Sequence, residues 1–458
     1  MRSLLVYVDQ TLVGTLSEGN NLWVFEYELA WVSIDRSFDL SPALSRRVLR
    51  HEDGGTVRPV QWYFDNLLPE ELLRKTVAKE AGIKDHEDAF ALLTYLGAES
   101  AGSLTLLPPG IPLPNESALS ELTDEALSQR IRNIPKQTLS KAAPKRMSLA
   151  GAQHKMLVLA MGEALFEPVG ATPSTYILKP DHPDTARYPA SVFNEFFTMR
   201  LARAARLNIP EVRMRYVPEP VYLIERFDRL VEKTALRTAN PLTAPRVRRL
   251  HIIDACQLLN KASTFKHSGA TLDALVQLID KSTNKIATRQ ALFRWLVFNI
   301  LVGNDDCHLK NLSFHVSSDG VELAPHYDLL CTAAYHTKAF ADENGIWNQV
   351  PMAFPLPGAK TFGDVTLGAV LAAATQLGVP EPVARRIVRE VITRVKKEFA
   401  HIVAEHEDRK KETPPERAVY TAQEGRLLRV VQFITLQDML RRLSDAQNLP
   451  GHGDPPVV

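Results

Sequence analysis

The fold is decided by the stretch Gly303-Asn304-Asp305-Asp306-Cys307-His308-Leu309-Lys310-Asn311, in which an aspartate stands five positions before an asparagine. The next residues predict a short hairpin, with strands over 312–316 and 321–324, and Asp328 follows it. In protein kinases an Asp-x-x-x-x-Asn loop supplies a base and a metal-binding amide, and a later aspartate holds Mg²⁺. The order therefore predicts a phosphoryl-transfer site, with Asp306 as the base and with Asn311 and Asp328 as Mg²⁺ ligands.

Alone, this spacing is more often an ordinary turn or helix cap, so the interpretation depends on other segments. Upstream, Ser174-Thr175-Tyr176-Ile177-Leu178-Lys179 is followed by Pro180, which predicts a strand that ends at the lysine. A lysine there can act as a fixed point charge on nucleotide phosphates, although a solvated strand-end lysine fits the local pattern equally well. Glu195, on a helix predicted over 191–207, could pair with Lys179, but we expect a solvated or core-edge position for it.

Two weaker segments complete the pattern. In Met147-Ser148-Leu149-Ala150-Gly151-Ala152-Gln153-His154-Lys155, three small residues in a row let backbone N–H groups approach an anion, although one glycine is a weak signal. The apolar run 221–224 ends in Glu225-Arg226-Phe227-Asp228, at a distance suited to a hinge that holds adenine by its backbone edge and an aromatic ring. Taken alone, the second segment is a strand that ends in a surface ion pair.

In this order the segments resemble the HipA family of toxin serine/threonine kinases from bacterial type II toxin–antitoxin modules. The resemblance covers most of the chain, because 13–16, 63–70 and 97–102 also resemble the small domain that precedes the kinase in full-length members. Cys307 stands where the family usually has glycine, and His154 stands where an acidic residue is common. The matching kinase motifs are the phosphate loop at 148–155, the ATP lysine at 179, the hinge at 225–229, the catalytic loop at 306–311 and the metal motif at 327–328.

The resemblance implies ATP and Mg²⁺ as cofactors and a defined set of site residues. Asp306, Asn311 and Lys179 are the implied catalytic residues, and Ser148 is the implied site of autophosphorylation. Asn311 and Asp328 are the implied Mg²⁺ ligands. The implied nucleotide-binding residues are Ala150, Gly151, Ala152, Gln153, His154, Lys155, Lys179, Glu225, Arg226, Phe227, His308, Lys310, Asn311, Tyr327 and Asp328.

The resemblance also implies a protein kinase that inhibits translation and growth and that is inactivated by phosphorylation of Ser148. Its implied target is an aminoacyl-tRNA synthetase, typically the glutamyl enzyme. Its implied partner is a HipB-like helix-turn-helix antitoxin, through which the chain reaches operator DNA. One alternative is a catalytically weak HipA-like corepressor that acts with the antitoxin on DNA. A lipid kinase is the nearest chemical alternative, disfavoured by the lack of membrane features.

The predicted fold class is α+β, with a small N-terminal α+β domain over 1–110 and a linker over 111–140 that follows a proline-rich run. A bilobal fold like that of protein kinases and phosphatidylinositol kinases comes next. Its N-lobe, with the nucleotide-binding loop, is assigned to 141–240 and its largely helical C-lobe to 241–410. The C-lobe includes a buried stripe of apolar residues four apart, and a tail over 411–458 contains one amphipathic helix over 424–443. The stripe is Val383, Ile387, Val391, Val395 and Phe399.

Bulk composition favours a cytoplasmic protein without membrane contact. The 458 residues predict two or three domains. The 54 basic and 53 acidic side chains give a net charge of +1, so the overall charge does not indicate binding to nucleic acid or to a membrane. Cys256, Cys307 and Cys331 have no metal-binding spacing and favour a reducing compartment. The longest apolar stretch, 292–302, is too short to span a bilayer, and the first residues do not form a signal-peptide pattern.

Residues 200–250 are locally basic. We interpret them as a solvated basic face, and a surface for tRNA, the DNA backbone or an acidic partner is the alternative. The run contains no DNA-reading motif. Its basic residues are Arg200, Arg203, Arg206, Arg213, Arg215, Arg226, Arg229, Lys233, Arg237, Arg246, Arg248 and Arg249.

Overall fold

The computed structural model describes residues 1–147, 150–232, 245–341 and 345–444. The N-terminal domain, residues 1–107, has five strands that form one antiparallel sheet, and its helices add buried side chains to the same core. Its strands are β1 (Arg2–Val8), β2 (Thr11–Gly19), β3 (Leu22–Tyr27), β4 (Arg50–Glu52) and β5 (Leu104–Leu107), in the order β4-β3-β2-β1-β5. Its helices are α1 (Leu29–Val32), α2 (Pro59–Asp65), α3 (Glu71–Glu80) and α4 (Ala89–Leu96).

In β1, β2 and β3, alternate apolar residues fill the core of this sheet, because successive side chains of a strand point to opposite faces. The turn between β2 and β3 consists of Asn20 and Asn21, whose φ angles are 55° and 59°. Asparagine tolerates this left-handed conformation better than most residues, and a two-residue turn with positive φ matches the twist of a hairpin. The local sequence therefore fixes the register of this hairpin.

The second part of the molecule, residues 117–225, is called the sheet unit here. Its six strands form one antiparallel sheet in the order β10-β11-β9-β7-β8-β6. Helix α6 packs against β10 and β11. The elements are β6 (Ser117–Glu121), α5 (Asp124–Arg132), β7 (Met156–Met161), β8 (Ala164–Gly170), β9 (Tyr176–Pro180), α6 (Ser191–Ala204), β10 (Val212–Tyr216) and β11 (Pro220–Glu225).

The segment 111–140, which we predicted as a linker, instead supplies β6 and α5 to the sheet unit. The proline-rich run before it has no helix or strand, but the apolar residues after it are buried against the sheet. Leu122, Leu127 and Leu139 pack in one cluster with Leu178 of β9. The prediction weighted the prolines and missed the burial of these leucines, which provides the free energy that orders the segment.

The third part, residues 252–443, is called the helical unit here, and the pair β12 (Arg229–Val231) and β13 (Val247–Arg249) precedes it. The mixture of antiparallel sheets and helices agrees with the predicted α+β class at this level. The elements are β14 (Ile252–Asp254), α7 (Ala255–Leu258), α8 (Leu272–Lys281), α9 (Lys285–Val302), β15 (Ser313–Ser317), β16 (Gly320–Leu323), β17 (Pro351–Leu356), β18 (Ala359–Thr361), α10 (Leu367–Gln376), α11 (Glu381–Lys411), α12 (Ala418–Val430) and α13 (Gln437–Leu443).

Two long helices form the centre of the helical unit. Helix α9 is buried along its second half, and α11 packs beside α9 and α6. The predicted stripe lies on α11, with Ile387 and the members after it buried and Val383 half-buried. The predicted tail helix begins earlier than expected, at Ala418, and a π-helical turn over Val431–Leu436 joins α12 to α13. The end of the tail lies outside the described residues.

None of the helices in the four described ranges has the length and hydropathy needed to cross a membrane.

Candidate active site

A cleft of about 1280 Å³ lies between the sheet unit and the helical unit. The N-terminal domain contributes residues 66–67 and 70–72 and Ala101 to its wall. Every predicted nucleotide-binding residue lines this cleft, from the small-residue loop at 150–155 to Asp328, and so does the predicted base Asp306. Ser148, the predicted autophosphorylation site, lies outside the described residues.

Lys179 stands at the centre of a buried ion cluster in the cleft. Its Nζ lies 2.8 Å and 2.9 Å from the two carboxylate oxygens of Glu195 and 2.6 Å from Oδ1 of Asp328. The Lys179 side chain is 9% exposed and that of Glu195 is 2% exposed. Our expectation of a solvated or core-edge Glu195 was wrong, because α6 carries it directly under the lysine.

Local sequence explains how Glu195 reaches that position. Asp181, two residues after Lys179, accepts hydrogen bonds at Oδ1 from the Val192 amide at 2.8 Å and from the Ser191 hydroxyl at 3.1 Å. The start of α6 is therefore held at the end of β9. Glu195 follows one helical turn later, on the face that meets Lys179.

The two carboxylates compete for one lysine, and their pKa values move in opposite directions. Burial and the Asp328 charge raise the pKa of Glu195 to about 7, against the opposing effect of Lys179. Burial alone would also raise the pKa of Asp328, but the Lys179 ammonium outweighs it and lowers that pKa. The pKa of Lys179 is raised, since the two acids outweigh its desolvation. Asp328 therefore stays ionised, and Glu195 is the group that takes up a proton first.

Asp328 itself has an unusual backbone. It follows the hairpin of β15 and β16, as predicted, and its φ angle of 59° lies in the left-handed region. Such conformations outside glycine cost free energy and concentrate at functional sites, where the surrounding structure imposes them. Here the backbone turn directs the carboxylate toward Lys179.

The small-residue loop lies beside Lys179. Gly151 has a φ angle of 106°, a backbone conformation that residues with a side chain rarely adopt, so a substitution here is strained. The Lys155 ammonium donates a hydrogen bond to the Ala150 carbonyl. Burial and the neighbouring Lys179 lower the pKa of Lys155 to about 8. His154 is buried, and burial lowers its pKa, so its imidazole is neutral.

The predicted catalytic loop begins where α9 ends. Gly303 terminates the helix in the left-handed conformation, with a φ angle of 69°, a common way to end a helix. The next residue, Asn304, accepts a hydrogen bond from the Asp306 amide at 3.1 Å and donates one to Asn299 of α9 at 2.7 Å. At the other end of the loop, the Asn311 amide nitrogen donates to the Asp306 carbonyl at 2.8 Å. The loop is thus held at both ends.

In contrast to its backbone, the Asp306 side chain is open. It is 60% exposed, and its closest ionisable partner across the described ranges is His308, at 3.9 Å. Desolvation in the cleft, followed by the charges of Asp328 and Asp305, raises the pKa of Asp306 to about 7. Because water reaches this exposed carboxylate, the rise is smaller than full burial would cause.

In two predicted nucleotide-binding residues, the charged group is already paired with other side chains of the protein. The Lys310 ammonium is buried and bonds Asp254 at 2.9 Å and the Asn66 side chain at 2.8 Å. The Arg226 guanidinium is buried and pairs in bidentate fashion with Asp228, at 2.9 Å and 2.7 Å. The contribution of these residues to a nucleotide therefore has to come from their backbone or from the shape of the cleft.

Other parts of the hinge and several residues missed by sequence reasoning also line the cleft. The Phe227 ring packs against the Tyr327 ring at a centroid distance of 5.5 Å.

Two residues of the cleft were not predicted from the sequence. One potential metal-binding atom each of His267, Asp306 and His308 lies within 4.8 Å of the others, and Glu70 accepts a hydrogen bond from Lys266 at 2.7 Å. No local signal identifies these residues, because their partners are distant in the chain.

The basic run at 200–250 does not form one surface in the part that the structure describes. Arg226 and Arg229 are buried in ion pairs, and others pair with acids on different elements. Arg200 pairs with Glu398 and Glu405 of α11, Arg206 with Glu390, and Arg215 with Asp124. Part of the predicted basic face is therefore paired with acids of the same chain, while Arg206, Arg246 and Arg248 are exposed. Lys233 and Arg237 lie outside the described residues.

Comparisons with known proteins agree with this arrangement. The family description "HipA N-terminal domain" matches residues 4–107, and "HipA-like C-terminal domain" matches residues 147–399. The chain is 31% identical over 423 residues to the putative kinase Y4mE of Sinorhizobium fredii, which covers 89% of this chain and 93% of that protein. It is 30% identical over 352 residues to the serine/threonine-protein kinase toxin HipA of Shewanella oneidensis, covering 73% of this chain and 76% of that toxin.

A solved structure gives the same result. The HipA chain in a complex of Shewanella oneidensis MR-1 HipA with HipB and its operator DNA superimposes with a TM-score of 0.72 at 25% identity, covering 96% of this chain and 100% of that chain. Fold and relatives thus define a class of kinase-like proteins. Within that class, the chain belongs to the HipA family of serine/threonine kinase toxins.

Proposed function

We propose that this protein is an ATP- and Mg²⁺-dependent serine/threonine protein kinase that acts as the toxin of a toxin–antitoxin module. The observation that carries the proposal is the pairing of Lys179 with both Glu195 and Asp328, at 2.6 Å to 2.9 Å, in the same cleft as Asp306 and Asn311. A lysine held between a helix glutamate and a metal-binding aspartate is the arrangement on which protein kinases depend. We assign the sheet unit and the helical unit as the two lobes of that fold.

Lys179 acts in this proposal as a positioning charge. Its pKa is raised by its two acids, so it stays protonated and does not serve as a base. The hinge at 225–228, with the Phe227 ring beside Tyr327, is the place for adenine. The loop at 150–155 supplies small residues, so that its backbone can approach the phosphates closely.

The donor set near the loop fits Mg²⁺. Asn311 and Asp328 offer an amide and a carboxylate oxygen, the hard ligands that Mg²⁺ prefers. The side-chain nitrogen of Asn311 donates to the Asp306 carbonyl, so the side-chain oxygen of Asn311 remains to bind a cation. When bound, Mg²⁺ supplies neutralisation of the negative charge on the phosphates.

Asp306 is the proposed base for the acceptor hydroxyl. Its carboxylate is exposed to the cleft while hydrogen bonds hold its backbone, so it can meet a substrate side chain without moving the loop. A pKa raised toward neutrality makes the group a stronger proton acceptor than an ordinary aspartate.

The proposed target, inactivating step and partners of this protein are inferred from its family. We propose a protein target, with an aminoacyl-tRNA synthetase such as the glutamyl enzyme as the first candidate, and autophosphorylation of Ser148 as the inactivating step. Since a similar protein is solved with HipB and operator DNA, we propose a HipB-like helix-turn-helix antitoxin as partner and operator DNA as its shared site.

The test is phosphate transfer from γ-labelled ATP by purified protein, combined with expression in bacteria without antitoxin. We expect label on protein serine or threonine, including Ser148 by mass spectrometry, and growth arrest that Asp306→Asn relieves. If wild type and Asp306→Asn are tolerated equally and neither transfers label, the kinase proposal is wrong. The corepressor alternative then predicts that both proteins still bind antitoxin on operator DNA.

A further inference from the structure

A carboxylate of the N-terminal domain lies buried beside the proposed nucleotide site. We infer that Glu99 is a positioning residue for nucleotide binding, because it joins the hinge to the root of the small-residue loop. The inference rests on the proposed kinase function. According to this inference, the N-terminal domain also organises the cleft through a residue that does not line the cleft.

Glu99 is fully buried, at 0% exposure, and its two oxygens have different partners. Oε1 accepts from Arg229 at 2.9 Å, from Arg226 at 3.3 Å and from the Ser174 hydroxyl at 2.8 Å. Oε2 accepts from the Lys145 ammonium at 2.9 Å. One carboxylate thus contacts Ser174, just before the strand that carries Lys179, Arg226 of the hinge, and Lys145, which precedes Ser148 in the chain.

On the hinge side, the attachment extends to neighbouring backbone. The Gly102 amide donates to Oδ2 of Asp228 at 2.8 Å, and the Gly102 carbonyl accepts from Arg229 at 2.8 Å. Gly102 has a φ angle of 73°, and a Cβ there would lie 3.0 Å from the Ile252 amide nitrogen. Ala101, between Gly102 and the cluster, lines the cleft. The position of the hinge therefore depends on residues 99–102 of the N-terminal domain.

On the loop side, the N-terminal domain contacts the residues before the loop and one residue within it. Lys145 lies three residues before Ser148, and the Arg146 guanidinium lies 5.4 Å from the centre of the Tyr95 ring. Within the loop, the Gly151 carbonyl accepts from the Glu70 amide at 3.2 Å. An anion-binding loop gains affinity when its backbone donors are held in place before the ligand arrives.

The charges of this cluster decide which substitution tests the inference. Four cations, Lys145, Arg226, Arg229 and Arg249, lie around the buried carboxylates of Glu99 and Asp228, and Asp9 also acts on Arg249. Burial would raise the pKa of Glu99, but Lys145, Arg229 and Arg226 hold it well below the usual range. Removing Glu99 would leave buried cations without compensation, with a loss of folding that hides any local effect.

Lys145→Met is the sharper variant. It keeps the length of the side chain, removes one cation from a cluster with excess positive charge, and breaks the hydrogen bonds of Lys145 with Glu99 and with the Thr172 carbonyl. Burial already lowers the pKa of Lys145, so the ammonium is an expensive group at this position. Because Lys145→Met leaves the buried Oε2 of Glu99 without this hydrogen bond, some stability is lost in either case. A purely structural role predicts no change in nucleotide affinity, whereas a positioning role predicts weaker nucleotide binding.

The experiment is calorimetric titration of the full chain with a non-hydrolysable ATP analogue and Mg²⁺. For Lys145→Met we expect the Kd to rise about tenfold, the effect of one lost charge-assisted hydrogen bond, and KM for ATP to rise with little change in kcat. The control is Arg130→Met, which breaks the bidentate pair of Arg130 with buried Glu167, at 2.7 Å and 2.8 Å, away from the cleft. That variant should lower the unfolding temperature and leave the Kd unchanged.

An unchanged Kd in Lys145→Met overturns the inference, and so does an equal rise in Kd in both variants, because that result reports general destabilisation. Wild-type protein that binds no Mg²⁺–nucleotide at all contradicts the proposed function instead. The two failures are therefore distinguishable in one set of titrations.

Discussion

The two walls of the cleft are built in opposite ways. On the phosphate wall, formed by Lys179, Glu195 and Asp328, each charge already has a partner within 3 Å, and the lysine is nine-tenths buried. On the acceptor wall, Asp306 is 60% exposed, and the basic side chain nearest to it in the described chain is His308, 3.9 Å away. A group proposed to bind the same ligand every time profits from being fixed in advance. A group proposed to meet a protein side chain has to remain accessible, and the exposed Asp306 meets this requirement.

The largest effect should come from the acceptor wall. Asp306→Asn keeps the size of the side chain and removes its charge, so phosphate transfer should fall by about 10²- to 10⁴-fold, the typical contribution of a general base. Affinity for Mg²⁺–ATP should remain, since the phosphate wall is intact. Rates from labelled ATP and affinities from calorimetry check both halves. Asp305→Asn is the matched control and should keep its rate of phosphate transfer. If Asp305→Asn instead loses this rate while Asp306→Asn remains active, the base is Asp305.

The next effect concerns the phosphate wall. Asp328→Asn preserves the left-handed backbone, which asparagine tolerates, but it removes a metal-binding charge and one partner of Lys179. We expect the Kd for Mg²⁺–ATP to rise about tenfold or more. Asp319→Asn, at the exposed turn between β15 and β16, is the control and should bind as wild type does. Unchanged affinity in Asp328→Asn would remove this residue from the metal site.

The pH dependence of the rate sharpens the comparison. Asp306 is active as a base only when it is ionised, and its pKa is raised to about 7. The value of kcat/KM should therefore fall as pH drops below neutrality, about tenfold for each unit once the carboxylate is protonated. An ordinary aspartate would keep its activity down to about pH 4. A profile that stays flat to such acidity would show that desolvation and the neighbouring carboxylates do not raise the pKa of Asp306.

The smallest effect is on stability. Because the folded-state pKa of Asp306 is raised from 3.8, its ionised form opposes folding, and this cost is complete above the folded pKa of about 7. Asp306→Asn should therefore raise the unfolding temperature slightly at alkaline pH, and the gain should vanish as pH falls toward 4. Thermal unfolding of both proteins across this range measures the difference. A variant that is less stable than wild type at alkaline pH would contradict the assignment.

The sequence predicted the parts of the site that are local in the chain. The catalytic loop, the hairpin after it and Asp328 follow from turn chemistry and alternation within 26 positions, 303–328. The position of Glu195 depends on how the start of α6 is held at the end of β9, and neither alternation nor spacing in the sequence predicts that contact. In the same way, Lys310 bonds Asn66 of the N-terminal domain and Glu99 bonds Lys145, so these pairs depend on tertiary structure alone.

The linker error has a related cause. A run of prolines marks where regular structure stops, but it says nothing of the apolar residues that follow. Leu122 and Leu127 are buried by a sheet whose other strands come later in the chain. Prediction from local composition therefore fails where a short segment is ordered by distant partners.

The order of the site residues along the chain has a consequence for synthesis. The cleft combines Glu70, Gly151, Lys179, Asp306 and Asp328, and more than a quarter of the chain is still unmade when the last of these is added. A ribosome adds about 5–20 residues per second, and domains fold as they emerge. The N-terminal domain and the sheet unit can therefore be complete while the phosphate wall still lacks its aspartate. A nascent chain of this protein therefore lacks the complete charge cluster around Lys179 until Asp328 has been added.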